Sequence, residues 1–256
     1  MNPRIIMNNG KESLKKIIIE NIEKIGANFV NDIMNNYDSL NGKNKFKATD
    51  NVKLKGVNSF LSEFKEAIAE ISNKTIKNTQ DILKINVNLS EWNKLPNKVK
   101  SRLKKQSEIF VNAVLAKYSD GVYFLFQNLT KKTDSRKAIE SELKINVSDF
   151  IAGGHIGAGA SNQSAITVNE SQDAIYNLKE AYEKIYAYEF INISPVSAIC
   201  EELQGQIISK DDPKLDEFRP PLHHNCKSYY QPLIKKPKKE ITKINPSKAA
   251  LKSKKF

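Results

Sequence analysis

Apolar residues recur at three- and four-residue steps through most of the first 130 positions, a period that commits this part of the chain to amphipathic helices. Between positions 12 and 36, one face carries Leu14, Ile17, Ile18, Ile22, Ile25, Phe29, Ile33 and Met34, interrupted only by Gly26. A second face runs from about Asn58 to Leu83 through Phe60, Leu61, Phe64, Ile68, Ile71, Ile76 and Ile82. A third, from Lys98 to Leu129, uses Val99, Leu103, Ile109, Phe110, Val114, Leu115 and Tyr118. Gly121 is placed to split it, because glycine costs about 1 kcal/mol in a helix interior. Residues 39–56 are polar and read as a loop, 86–97 as a connector with a short helical turn, and 135–143 as a shorter helix. No internal repeat is visible, which argues against a solenoid.

Downstream the pattern changes. Ala152-Gly-Gly-His-Ile-Gly-Ala-Gly-Ala-Ser161 spells neither the dinucleotide fingerprint nor a P-loop, so 151–168 reads as a glycine-rich joint with His155 as an exposed loop histidine. A long helix is expected from Asn169, a suitable N-cap, to about Phe190. Its face carries Ile175, Leu178, Ala181, Tyr182, Ile185, Tyr186 and Tyr188, and tyrosines at helical spacing read as core rather than as base-stacking groups. Pro195 disfavours helical geometry before it. Beyond it, Gln206-Ile-Ile-Ser and Ser228-Tyr-Tyr-Gln-Pro-Leu-Ile are strand candidates bounded by turn residues, predicting a short β-hairpin near 206–233.

The chain has 256 residues, enough to bury a core in one or two domains. No stretch approaches the roughly 18 apolar residues of a membrane span, and the N-terminus lacks the apolar run of a secretory leader. Two cysteines without an export signal point to synthesis in a reducing cytoplasm. The formal net charge is +12, and residues 231–256 hold +8 of it: nine lysines (Lys235, Lys236, Lys238, Lys239, Lys243, Lys248, Lys252, Lys254 and Lys255) against Glu240. Such a segment suits DNA or another polyanion, or else is a solvated, disordered end.

Both cysteines and two of the three histidines fall between Cys200 and Cys226. Cys200, His223 and Cys226, with His224 beside them, offer thiolate and imidazole ligands that suit zinc, and His223-x-x-Cys226 has the spacing of a chelating turn. Cys200 stands alone, with Ser197 three residues before it, so only half of a zinc signature is present. A thiolate–imidazolium couple is the catalytic alternative. No orienting acid or oxyanion arrangement accompanies it, and the segment reads as non-enzymatic. The simplest alternative is structural: a small hairpin packed on the preceding helix with the cysteines inside.

These residues carry a resemblance. Cys200-Glu-Glu-Leu203-Gln-Gly205, the turn Asp211-Asp212-Pro213, and Pro220-Pro221-Leu-His223-His-Asn225-Cys226-Lys are similar, in order and spacing, to the Mu F-like minor head proteins of phages, the phage head morphogenesis domain. The likeness covers about 165–232, with Ser197 and Ser228 standing where the family often has further cysteines. It implies a low-copy structural protein of a tailed double-stranded DNA phage, made in the host cytoplasm and located inside the capsid. The implied partners are the portal protein, capsid or scaffold proteins, and the DNA. The competing readings are a zinc-dependent hydrolase or toxin-like effector using the Cys/His cluster, and a freestanding nucleic-acid-binding protein. The expected architecture is mainly α with a small α+β C-terminal domain: a helical region over 1–150, the joint, a Mu F-like domain over 169–233, and a disordered basic tail over 234–256. No cofactor is required by this reading, with zinc the one candidate, and no membrane is expected as a partner.

Overall fold

A computed structural model describes residues 2–87, 89, 91–193, 197–223 and 226–254. The chain is mainly helical with a small sheet near its C-terminus. The apolar periodicities become α1 (Pro3–Ser39), α2 (Val57–Leu83) and α3 (Asn97–Lys132), followed by α4 (Arg136–Ala152), α5 (Gly154–Tyr176) and the short α6 (Lys179–Lys184). The expected loop at 39–56 contains a 3-10 helix, Gly42–Thr49. Helix α3 runs through Gly121 without a break. By length and composition it is apolar enough to cross a membrane, which corrects the expectation that no stretch is. Its Val111, Leu115, Tyr118, Val122 and Phe126 are nevertheless core residues.

The chain divides into two compact units, each assembled from separated segments. One comprises Leu14–Lys65 and Gln106–Gly157. Its core is aromatic: Phe60 lies edge-on to Phe64, Phe64 stacks on Phe110 at 5.3 Å, Phe29 meets Tyr123, and Tyr37 meets Phe126. Burying each such ring contributes about 1.5–3 kcal/mol. His155 belongs here, half-buried in the first turn of α5 with its ring 4.7 Å from that of Phe150, and not in an exposed loop.

The other unit comprises Met1–Ser13, Glu66–Lys105 and Ala158–Phe256. The expected joint is helix in this structure: α5 begins at Gly154, and Asn169 lies in its interior instead of capping it. Ala160, Ala165 and Val168 are buried. Beside them Thr167 and Ser171 donate to the carbonyls four residues back, which lets short polar side chains sit in a dry interior. Ser171 also meets Ser72 of α2 at 2.8 Å, and Ser164 donates to the Met7 carbonyl of α1.

The expected helix to Phe190 stops at Tyr176. After α6 the chain enters β1 (Ala187–Ile191), then α7 (Ala198–Leu203), β2 (Ile207–Ser209), β3 (Tyr229–Leu233), β4 (Ile241–Thr242) and α8 (Lys248–Leu251). The sheet order is β3-β1-β2-β4. The two expected strands are therefore present but do not form a hairpin, because β1 lies between them and pairs antiparallel with both. Tyr188 is buried against Tyr176 and Tyr230, as a core reading requires, and Phe190 also meets Tyr230, whereas Tyr182 and Tyr186 are exposed. The tail is folded through residue 254. Strand β4 adds parallel to β2, and Ile244 and Ala250 are buried, which overturns the disordered end.

Two helix glycines give opposite expectations. A methyl on Gly26 would lie 2.7 Å from the phenolic oxygen of the fully buried Tyr118, so Gly26→Ala should lower the urea midpoint, a loss of about 1–3 kcal/mol. Nothing lies within 4 Å of a methyl on Gly121, so Gly121→Ala should raise it by about 0.5–1 kcal/mol.

Candidate metal centre

Two excursions meet at the same end of β1. The first, residues 192–206, carries α7 and returns through Gly205, whose φ of +72° suits only glycine well. Its N–H donates to the Phe190 carbonyl, and Phe190 N–H to that of Gln206, which seats β2 beside β1. The second arrives through the cis Pro220–Pro221 bond and Leu222 and enters β3 at Tyr229, opposite Ile191. The two therefore face each other at the end of the central strand.

Cys200 sits in the first turn of α7, whose N-cap Ser197 accepts from the Cys200 N–H at 3.5 Å. Its Sγ lies 3.1 Å from His223 Nε2 and 3.7 Å from Cys226 Sγ. All three side chains are buried, at 1%, 6% and 0% exposure, so water does not compete at this cluster. The three ligand atoms lie within 4.8 Å of one another. Tetrahedral zinc with Zn–S near 2.3 Å places its sulfurs about 3.8 Å apart, and the sulfur–sulfur distance already matches that edge. Ser228 supplies a fourth polar atom, its Oγ donating to Cys200 Sγ at 3.3 Å. Its backbone is fixed in turn by Asn169 Nδ2, which donates to the Ser228 carbonyl. Two soft sulfurs, an imidazole and an adjacent hydroxyl fit a zinc-type ion in donor chemistry, and the sulfur–sulfur edge fits it in spacing.

The two thiols do not share ionisation equally. Cys226 is held well below the usual thiol range, first by the hydrogen bond from Cys200, then by His223 and by backbone contacts with Leu222 and Ser228. Cys200 is pushed up by donating that bond, by burial and by the neighbouring negative charge.

The other motif residues serve the frame. Leu203 is fully buried. Asp212 accepts from Lys214 N–H through Oδ1 and from Ile244 N–H through Oδ2, so the Asp-Asp-Pro213 turn is an anchor for the tail. Pro221 leads into the His223 turn, where Cys226 N–H donates to the His223 carbonyl. His224 and Asn225 lie outside the described residues, as does Lys255. Lys235, Lys236, Lys238, Lys239, Lys243, Lys248 and Lys252 are exposed. Lys254 is half-buried, paired with Glu217 at 3.3 Å and lying over the Phe218 ring. Sequence reasoning missed Ser228 as a neighbour of the sulfurs, noting it only where a cysteine was expected. It also missed Glu202 and Ser253 as holds on the tail, since neither carries any motif.

No protein-family model, curated protein or solved structure matches this chain.

Titration should reveal the unequal thiols. In metal-stripped protein, thiolate absorbance near 240 nm should show one cysteine ionised at neutral pH, and Cys226→Ser should abolish that signal. Since the folded pKa of Cys226 is depressed, its contribution to stability is complete above the unfolded thiol pKa and is lost as pH falls through the folded value. Two thiols titrating together above pH ~8.5 would contradict the assignment.

Proposed function

We propose that this chain is a minor head protein of a tailed double-stranded DNA phage, a structural component of the capsid interior that partners the portal protein and capsid or scaffold proteins. The observation that carries this reading is the meeting of the motif's two halves. Cys200 and His223, 23 positions apart, lie at contact distance in one buried cluster, and the Asp211-Asp212-Pro213 turn holds the same small domain. A chance scatter of rare residues has no reason to converge.

Within that reading the Cys200–His223–Cys226 group holds zinc as a structural staple, with the buried Ser228 hydroxyl at the fourth position. When bound, the ion supplies a cross-link between α7 and the segment before β3. Small domains gain most from such links, because their own cores are thin. The residues do the positioning: Ser197 aims the first turn of α7, Asn169 fixes Ser228, and the fully buried Leu203 seats the end of the helix in the core. The exposed lysines between 235 and 252 contact packaged DNA through its phosphates, without reading its sequence.

Purified phage heads should contain the chain in a low, constant ratio to the portal protein, and its absence from heads refutes the proposal. Zinc analysis of protein purified without chelators should give one ion per chain, lost in Cys226→Ser and held more tightly in Ser228→Cys. For the DNA contact, deletion of the tail is unsuitable because Ile244 and Ala250 are part of the fold. Replacing the seven exposed lysines by glutamine should instead flatten the salt dependence of DNA binding, by about 0.9 in the log–log slope for each phosphate no longer neutralised. An unchanged slope excludes these lysines.

A further inference from the structure

The segment carrying the lysines is tied to the helix carrying Cys200. Helix α7 has six residues, too few to persist on helical propensity alone. One side of it faces the Cys/His cluster. The other receives the tail: Ile199 N–H donates to Ser253 Oγ at 3.1 Å, immediately beside Cys200. Three residues on from Ile199, Glu202 accepts from both the N–H and the hydroxyl of Ser247, at 2.8 and 2.5 Å. Ser247 is also the N-cap of α8, accepting from Ala250 N–H. One carboxylate of α7 thus fixes the residue that starts α8, and Ala250 is fully buried. Among the described residues the other holds on the tail are local: the two-residue pairing of β4, the Thr242 hydroxyl on the Ile207 carbonyl, the Asp212–Ile244 bond with the buried Ile244 side chain, and Lys254 paired with Glu217 over the Phe218 ring.

We propose that metal occupancy of the Cys200–His223–Cys226 group governs docking of the basic tail. The proposal rests on the metal reading above. With the cross-link in place, α7 is fixed at Cys200, and Ile199 and Glu202 are presented in the geometry that Ser253 and Ser247 need. Without it, α7 keeps its side-chain packing, the cap from Ser197 and the weak sulfur hydrogen bonds of Cys200 with His223, Cys226 and Ser228, none of which is as directional as a metal–thiolate bond. The bonds flanking Cys200 then loosen together, because they leave from the same two turns. An undocked tail also gives up the Lys254–Glu217 pair and presents one more free cation to DNA. The result is a metal-dependent change in the form of the lysine array, from fixed on the domain to extended and mobile.

The test is limited trypsin digestion of the full-length chain, with cleavage sites read by mass spectrometry and zinc measured in parallel. Zinc-loaded protein should resist cleavage after Lys243, Lys248 and Lys252. Chelation, or Cys226→Ser, should accelerate those cuts about tenfold or more while cuts after Lys77 and Lys100, in α2 and α3, stay unchanged. The double variant Glu202→Ala/Ser253→Ala should show the fast tail cuts while still binding one zinc ion, which separates docking from metal binding. Should the chain bind no zinc, the metal reading fails and the proposal falls with it. If zinc binds but chelation leaves the tail cuts unchanged, the metal reading survives and the coupling alone is overturned. Equal acceleration at every site would mean general unfolding, and would overturn the coupling as well.

Discussion

The C-terminal half of the chain depends on the two-sided pairing of one five-residue strand. Strand β1 pairs with β3 through five positions on one edge and with β2 through three on the other. Both of its edges are therefore satisfied, as buried backbone requires. The register also settles where the side excursions go. With Ile191 opposite Tyr229 and Phe190 bonded to Gly205 and Gln206, the segments bearing Cys200 and His223 emerge at one end of the sheet. The meeting of Cys200 with His223, 23 positions apart, is a by-product of strand pairing.

That strand was hidden in the sequence for a physical reason. Ala187-Tyr-Glu-Phe-Ile191 follows Tyr182 and Ile185, and the run satisfies helical spacing as well as it satisfies strand composition. Tertiary pairing decided between them. The glycine-rich stretch misled in the opposite direction. Gly154 and Gly157 meet nothing that a methyl would touch, so packing does not demand glycine at either place. The helix forms there despite its propensity, because Ile156, Ala160, Ala165 and Val168 are buried along its length. By contrast, α2 was legible almost to its ends and α3 likewise apart from the expected split at Gly121, since a sustained apolar period over 27 or more residues has one solution, whereas α1 starts nine residues before the expected position 12.

The candidate site was half legible. Rarity and spacing singled out Cys200, His223 and Cys226, and they converge. Spacing could not reveal that Ser228 lies against the same sulfur, because serine is common and its role comes from position alone. The basic tail shows the same limit. Nine lysines in 26 residues read as a solvated end, but Ile244 and Ala250 were enough to seat it, with Asp212 and Glu202 accepting its backbone N–H groups. Charge density indicates what a segment will attract; it does not decide whether a few apolar residues dock it.

The interleaving of the two units has a consequence for how the chain is made. Leu14–Lys65 and Gln106–Gly157 are all synthesised by residue 157, so that unit has every part it needs early. The other begins with the first residues and needs the last: Asp212 waits for Ile244, and Ile199 for Ser253. At about 5–20 residues per second, the ribosome takes roughly 5–20 s to deliver the intervening stretch. Over that interval the apolar side chains of Ile6, Met7 and Ile76 have no finished core to enter. Ile6 and Met7, made before any part of the first unit, find their places only after that unit is complete.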